Sequence, residues 1–565
     1  MFFLHFIDKP PVYDSNSASL SANNMKASMR HLGYYAATAS FNADTTMKSS
    51  QKRVHVTYHI KTGKPTLIDT VGYFLRNPTL QEITRENLSK SLLLKNNPVT
   101  KASVLGEVSR LVELYRNNGY YKFTADELKV RGDTSIEALT TISDDPFEQL
   151  QLLAQAQAKR DSPTIKMAIV LNPPADSSKI KQFYINNIYI LPDYQPGDSL
   201  SDPTLTERVT ENCIVRYHNK LFRTNFLAQS MFLKKGNLYS QADYYKSLGS
   251  YSKMGVWQNT NIQIVEVKDS ANKIDVIVQL IPGKKYTFEA GIDASFSTNS
   301  NTNTVTSYNA GSLLGLSGNL SITNRNVHKE AIKMINAIRG GVEINLNSNN
   351  RTSGSAVNSN ELSYTNNIVF PRFIFPVKKY NNDKRIINSE TFINTNLSYI
   401  NRINLFKLQS VNFALGYAWS NYKQRKWSVK PLSVEFVRLY NETPEFLTTL
   451  QQNPFLKYSF NTSLVAGMSA NYSSFKINPK HSNKQHSLKL NVEESGFPLL
   501  LPLRQLHVFD KYLRQFIKAD VEYIHSVSLP KSALVFRLFG GVGVSSRGDT
   551  TLPFLNNILQ AALIV

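Results

Sequence analysis

The sequence predicts α+β tandem modules of β-α-α-β-β type, followed by an antiparallel transmembrane β-barrel. Three observations predict it. A helix, a Gly-aromatic turn and a pair of strands recur three times before residue 285. Beyond that point the chain changes to long segments of two-residue alternation. The aromatic content, 28 Tyr and 30 Phe against 3 Trp, suits pleated, half-buried surfaces. At 565 residues, moreover, one core is not enough.

The first copy opens with a helix over Ser21 to Leu32, whose Met25, Met29 and Leu32 share one face and which Gly33 stops. Tyr34 and Tyr35 are then expected to open a strand. Val54, Val56, Tyr58 and Ile60 alternate with polar residues in the next one, which Gly63-Lys64-Pro65 closes. In the second copy, Val104, Val108, Leu111 and Tyr115 form a helical stripe followed by Gly119-Tyr120-Tyr121. Its closing strand, Ile165 to Leu171, is delayed by an insertion over 131–162 that is expected to carry a short Gln/Ala/Leu helix. The third copy runs from Gln241 through Val256-Trp257 to strands over Asn261 to Val267 and Lys273 to Leu280. Thr66 to Phe74 and Lys181 to Leu191 supply the first strands of copies two and three. The expected domains are therefore 1–64 (a partial module), 65–174, 175–284 and a barrel portion over 285–565.

From Lys285 the texture is different. Tyr286, Phe288, Ala290, Ile292, Ala294 and Phe296 face one side, and Thr287, Glu289, Gly291, Asp293 and Ser295 the other. About ten residues suffice to cross a bilayer as a tilted strand. Similar segments follow at Leu314 to Ile322, Ile332 to Leu346, Leu362 to Phe370, Phe392 to Tyr399, Gln409 to Trp419 and Trp427 to Leu439. Tyr458 to Tyr472, Leu488 to Glu494, Phe516 to Leu529 and Ala533 to Val544 complete the set. Polar loops such as Ser297 to Ser307 and Asn347 to Asn360 separate them. A soluble β-sandwich also alternates, but its strands are shorter. Tyr and Phe near strand ends are also what an aromatic girdle requires.

No run of about eighteen apolar residues occurs, which excludes a transmembrane helix and leaves a barrel open. The net charge of +22 is spread along the chain without a nucleic-acid motif, so anionic lipid headgroups or unfolded polypeptides are the expected partners, not nucleic acid. The single cysteine, Cys213, forbids an intramolecular disulfide. The apolar opening MFFLHFI is too short, and lacks the basic flank, for an export signal.

Catalytic patterns are missing. His55 and His59 lie four apart in a strand, about 13 Å from each other, too far to share an ion. Gly540-Gly541-Val542-Gly543 lacks the helix and Lys-Ser/Thr of a nucleotide loop and reads as a tightly packed strand. Glu493-Glu494 reads as a solvated strand end. No catalytic, metal or cofactor site is expected, and the chain reads as a non-enzyme.

Tandem helix, Gly-Tyr-Tyr, strand, strand units that run through Pro282-Gly283-Lys284-Lys285-Tyr286 into a barrel strand resemble the POTRA repeats and barrel of the BamA/TamA outer-membrane assembly family, in its Bacteroidetes type. Asp549 to Phe554 resembles the stretch before that family's terminal signature, which the tail LNNILQAALIV replaces. Eleven strands are counted where the family closes at sixteen, so the resemblance implies an incomplete barrel, truncated at both ends of the chain. It also implies an outer-membrane location with the modules in the periplasm. The implied function is assembly or insertion of unfolded outer-membrane protein clients, with accessory periplasmic or lipoprotein subunits. Two-partner-type polypeptide secretion, or a non-functional remnant, are the alternatives. Capture would work by β-augmentation, in which an extended client pairs with an open strand edge through backbone hydrogen bonds. The candidate residues are Val256, Trp257, Ile262 and Ile264 in the third module and Tyr286, Phe288, Ala290 and Ile292 in the first barrel strand.

Overall fold

A computed structural model describes residues 12–48, 51–132, 163–267, 272–297, 312–346, 356–377, 380–381, 386, 388–421, 424–452, 460–478, 481–496, 512–529 and 532–545. The chain divides into two compact units. One is Met1–Ile188, Leu233–Tyr245 and Ile264–Val276; the other is Tyr189–Phe232, Lys246–Gln263 and Ile277–Val565.

Helix α1 (Ser15–His31) starts six residues before the expected Ser21. The Asp14 carboxylate caps it, accepting the Asn16 and Ser17 amide protons at 3.1 Å each. Gly33, at φ +97°, ends it. Tyr34 and Tyr35 lie in the following turn and not in a strand, which corrects the expectation. Tyr35 is buried and its hydroxyl donates to the Val99 carbonyl at 2.9 Å, so tertiary packing has taken it out of the ladder. Strands β1 (Thr38–Lys48) and β2 (Gln51–Lys61) then form an antiparallel hairpin.

The second module contains β3 (Leu67–Phe74), α2 (Pro78–Glu86), α3 (Lys101–Arg116), β4 (Leu128–Gly132) and β5 (Thr164–Leu171). Its sheet order is β3-β5-β4, with β5 parallel to β3 and antiparallel to β4. The stripe Val104, Val108, Leu111 and Tyr115 is fully inside and packs with Leu80, Phe123, Ile165 and Ile169. Burying side chains of this size contributes about 1.5–3 kcal/mol each. Residues 131 and 132 of the expected insertion belong to β4. The rest of it, with its expected helix, lies outside the described residues.

The third module adds a feature the sequence reading missed. Between β6 (Tyr184–Leu191) and the helices α4 (Thr224–Gln229) and α5 (Gln241–Lys253) sits a hairpin, β7 (Thr206–Val209) and β8 (Ile214–Tyr217). With β9 (Trp257–Glu266) and β10 (Lys273–Pro282), the sheet order is β7-β8-β6-β10-β9. The last three strands repeat the order of β3-β5-β4. Strand β9 begins at Trp257, not Asn261, and includes Gln258, Asn259 and Thr260. Their polarity hid the strand, and an outer strand with one solvated face tolerates it.

Eleven strands then run as one antiparallel meander in which every strand pairs with its sequence neighbours. They are β11 (Tyr286–Ser297), β12 (Leu313–Val327), β13 (Ile332–Asn345), β14 (Val357–Phe370), β15 (Asn388–Arg402), β16 (Phe406–Ser420), β17 (Arg425–Tyr440), β18 (Ser463–Asn478), β19 (His481–Ser495), β20 (Phe516–Ser528) and β21 (Ala533–Ser545). All eleven expected strands are present. Residues 458 and 459 of the strand expected from Tyr458 lie outside the described residues and β18 begins at Ser463, while residues 357–360 of an expected loop belong to β14. Lengths from 12 to 16 residues exceed those of sandwich strands.

Alternation and register together give the sheet two unlike faces. On one face Phe288 lies opposite Ile322, Leu320 opposite Ile338, Leu316 opposite Val342, and Leu397 opposite Val411. On the other, Thr287 meets Thr323, Asn319 meets Arg339, Asn412 meets Glu435, and Asn491 meets Asp520. This is a strand-rich, barrel-type sheet with one greasy and one polar side. Helix α6 (Pro444–Gln452), also unforeseen, packs Phe446 and Leu450 against Phe406 and Leu439.

Candidate functional site

Both strands expected to offer edges are outer strands of their sheets. Strand β9 ends the third module's sheet, and β11 ends the eleven-stranded one, with β21 at the opposite side. The expected residues divide by environment. Val256, Trp257 and Ile262 point into the module core and Ile264 is half-buried, so they anchor β9 and leave its polar side to solvent. The Trp257 indole N–H donates to the Pro192 carbonyl at 3.1 Å. Tyr286, Phe288, Ala290 and Ile292 are exposed, Phe288 at 67% and Ile292 at 88%. Apolar exposure of that extent on an outer strand demands a covering phase or partner.

The Gly-Tyr-Tyr motif has a role the sequence reading did not assign, since it builds the joint between modules. The Thr66 amide donates to the Gly33 carbonyl at 2.9 Å, and one repeat later the Phe183 amide donates to the Gly119 carbonyl at 3.0 Å. Further pairs recur in register: Ile68 to Asn97 and Ile185 to Asn237, both 2.9 Å, and Val99 to Thr66 and Tyr239 to Phe183 at 2.9 and 3.0 Å. A left-handed residue precedes each helix at the same place, Asn96 at φ +65° and Gly236 at φ +82°. Lys95-Asn96-Asn97-Pro98 and Lys235-Gly236-Asn237-Leu238 carry that signal in the sequence.

At the second joint Tyr121 stands edge-on to Phe183, with ring centroids 4.9 Å apart, and to Tyr239 at 5.8 Å. Its hydroxyl donates to Glu266 Oε1 at 2.7 Å, and Lys122 pairs with the same carboxylate. Desolvation and then Glu266 raise the Tyr121 pKa; the hydrogen bonds from Lys122 and Tyr121 hold Glu266 below the usual carboxylate range. The C-terminal end of β9 is thereby tied to the preceding module.

The polar face of the large sheet carries ion pairs. Glu522 joins Lys489 at 2.8 Å and Arg537 at 2.5 Å, and Lys518 joins Glu493 at 3.1 Å. Glu493 is therefore a paired, half-buried group, correcting its reading as a solvated strand end. A cavity of about 680 Å³ on this face is lined by Glu390, Lys426, Ser428, Asn471, Lys489 and Asn491. The Lys253 ammonium of α5 reaches it, donating to the Ser389 carbonyl at 2.8 Å. Trp419, Trp427 and Tyr472 share the lining with these polar groups, so it is mixed in character. Among the described residues no cluster of three or more His, Cys, Asp or Glu is placed to hold a metal ion.

The motifs set aside in the sequence resolve as follows. His55 and His59 lie in β2, opposite Asp44 and Ser40. Gly540 to Gly543 fall in β21, a strand as expected, but not a tightly packed one, because a Cβ on Gly540 would meet nothing within 4 Å. Among the described residues no helix is long and apolar enough to cross a membrane, which leaves crossing by strands untouched.

No protein-family model matches the chain, and no curated protein does. Among solved structures it is similar to BamA from Haemophilus ducreyi lacking POTRA domains 1–3, at 11% identity over 86% of this chain and 99% of that one, with a TM-score of 0.30. It is similar to CdiB from Acinetobacter baumannii at 9% identity over 96% and 91%, TM-score 0.30. The third is Haemophilus influenzae BamA POTRA3–5, at 10% identity over 48% and 83%, TM-score 0.24. The fold itself is tandem β-α-α-β-β modules followed by an eleven-stranded antiparallel, barrel-type sheet.

Proposed function

We propose that this chain is an outer-membrane assembly or insertion factor with POTRA-type modules over 1–64, 65–174 and 175–284 in the periplasm and barrel strands over 285–565 in the bilayer. Unfolded outer-membrane proteins pair with β9, pass along the modules and are handed to β11. Lipid covers the greasy face, anionic headgroups meet the excess of Lys and Arg, and accessory subunits bind the modules. The observation that carries this reading is that β9 and β11 are both outer strands, so each has a backbone edge that a further strand can extend. Only Gly283, Lys284 and Lys285 separate β9's partner β10, ending at Pro282, from Tyr286.

A second reading, a pore that exports one dedicated polypeptide, is favoured by the ion-paired polar face and its cavity. Photo-crosslinking amino acids at Gln258, Ile292 and Asp293 separate the two. An assembly factor gives adducts with many newly made outer-membrane proteins at Gln258 and Ile292. A pore gives one adduct species, strongest at Asp293 on the polar face. Absence of polypeptide adducts at all three positions refutes both.

A further inference from the structure

We infer that His486 and His525, with Tyr523, form a binding site for a divalent transition-metal ion on the apolar face of the large sheet. None of the three was singled out by any sequence motif, because they are distant in the chain and only the register of β19 and β20 brings them together. His486 lies directly opposite His525, and Tyr523 is opposite Leu488 on the same face. His486 Nδ1 is 3.3 Å from His525 Nδ1 and 2.6 Å from the Tyr523 hydroxyl. The two imidazole rings are 4.6 Å apart and inclined by 31°, and Phe536 stacks on the outer side of His525.

The nitrogen separation is compatible with a bridging metal ion. Zinc bound by imidazole sits ~2.05 Å from each nitrogen, so two donors 3.3 Å apart subtend about 107° at the ion, close to the tetrahedral angle. Tyr523 is the third donor: its oxygen must swing outward by about 0.7 Å to reach a tetrahedral edge, its phenolic proton passing to water as the metal binds. Water takes the fourth position. Two imidazoles and one oxygen suit Zn²⁺, Co²⁺, Ni²⁺ or Cu²⁺ over Ca²⁺ or Mg²⁺, which prefer all-oxygen shells. Both histidines are half-buried and Tyr523 is 38% exposed, so the ion has an entry path without full hydration. They lie near one end of each strand, His486 six positions into β19 and His525 four from the end of β20. On the proposed barrel that is the interfacial level.

The test uses the full chain folded in detergent micelles with any affinity tag removed. Titration with Co²⁺ is expected to produce the intense visible bands of a tetrahedral site, saturating at one equivalent and abolished by one equivalent of Zn²⁺. His486→Asn and His525→Asn should each lose the bands, and Tyr523→Phe should shift and weaken them. Because a variant can fail to fold, Zn²⁺ protection of His486 and His525 from diethylpyrocarbonate in the unmodified chain provides a second readout. No bands with either histidine unprotected, or bands that survive in both histidine variants, overturns the site. Unchanged bands in Tyr523→Phe overturn the tyrosine's part in it.

Discussion

Replacing Arg110 with Leu strips the counter-charge from a carboxylate that water does not reach. Glu107 has no exposed side chain, and Arg110 is 17% exposed; Arg110 donates to both Glu107 oxygens, at 2.6 and 2.9 Å. Two other donors hold Glu107, the Tyr73 hydroxyl and the Leu92 amide, each at 2.8 Å. An exposed pair contributes about 0–1 kcal/mol, whereas a buried charge left without its partner costs about 3–5 kcal/mol. Two donors remain and Arg110 is partly solvated, so the lower end applies, about 3 kcal/mol. That corresponds to roughly 100-fold faster opening-limited hydrogen exchange of the β3 and β5 amides in the full chain. The double variant Glu107→Leu/Arg110→Leu should recover most of the loss, since neither charge is then stranded. Acid adds a check on sign. Burial pushes the Glu107 pKa up, but the bonds from Arg110, Leu92 and Tyr73 outweigh it and hold the group below its ordinary 4.5. A depressed carboxylate contributes stability above its unfolded pKa and loses it as pH falls through the folded one. The gap between unmodified chain and Arg110→Leu should therefore narrow as Glu107 protonates below pH 4.5. A change in exchange of less than about threefold at neutral pH, the size expected of a surface pair, would refute the reasoning.

Two further substitutions test the joints and the sheet. Gly119→Ala forces a side chain into φ +99° and puts its Cβ 2.9 Å from Leu238 Cδ2, so about 1–3 kcal/mol should be lost and proteolysis near the joint should quicken. Gly236→Ala, at φ +82° with open space around it, should cost less. Gly416 lies opposite Phe392 in β15 and β16, with the ring over its Cα where a Cβ would collide. Gly416→Val should therefore destabilise by about 1–3 kcal/mol, seen as a lower temperature for heat-modifiable migration on a gel. Adding Phe392→Leu should restore much of it, and Gly540→Ala, with no neighbour to strike, should leave the migration unchanged.

What the sequence by itself determined is the periodic part. Eleven strands were legible because a pleated strand turns successive side chains to opposite faces, and a sheet with one greasy and one polar side prints that alternation into the residues. The stripe of α3 was legible for the matching reason at a period of 3.6. Position 33 and position 119 were visible as helix stops because few residues besides glycine accept those angles. Tertiary structure decided the rest. Tyr34 and Tyr35 looked like a strand until the Val99 carbonyl drew Tyr35 into packing, and the polar run Gln258 to Thr260 hid the start of β9, which its place at the sheet margin allows. The side chains of Val256 and Ile262 looked available and point inward. Register is what brought Gly416 under Phe392 and set His486 against His525 across about forty residues of chain. Pairing between distant segments is a property of the folded sheet, and local periodicity carries no record of which strand, or which residue of it, lies opposite.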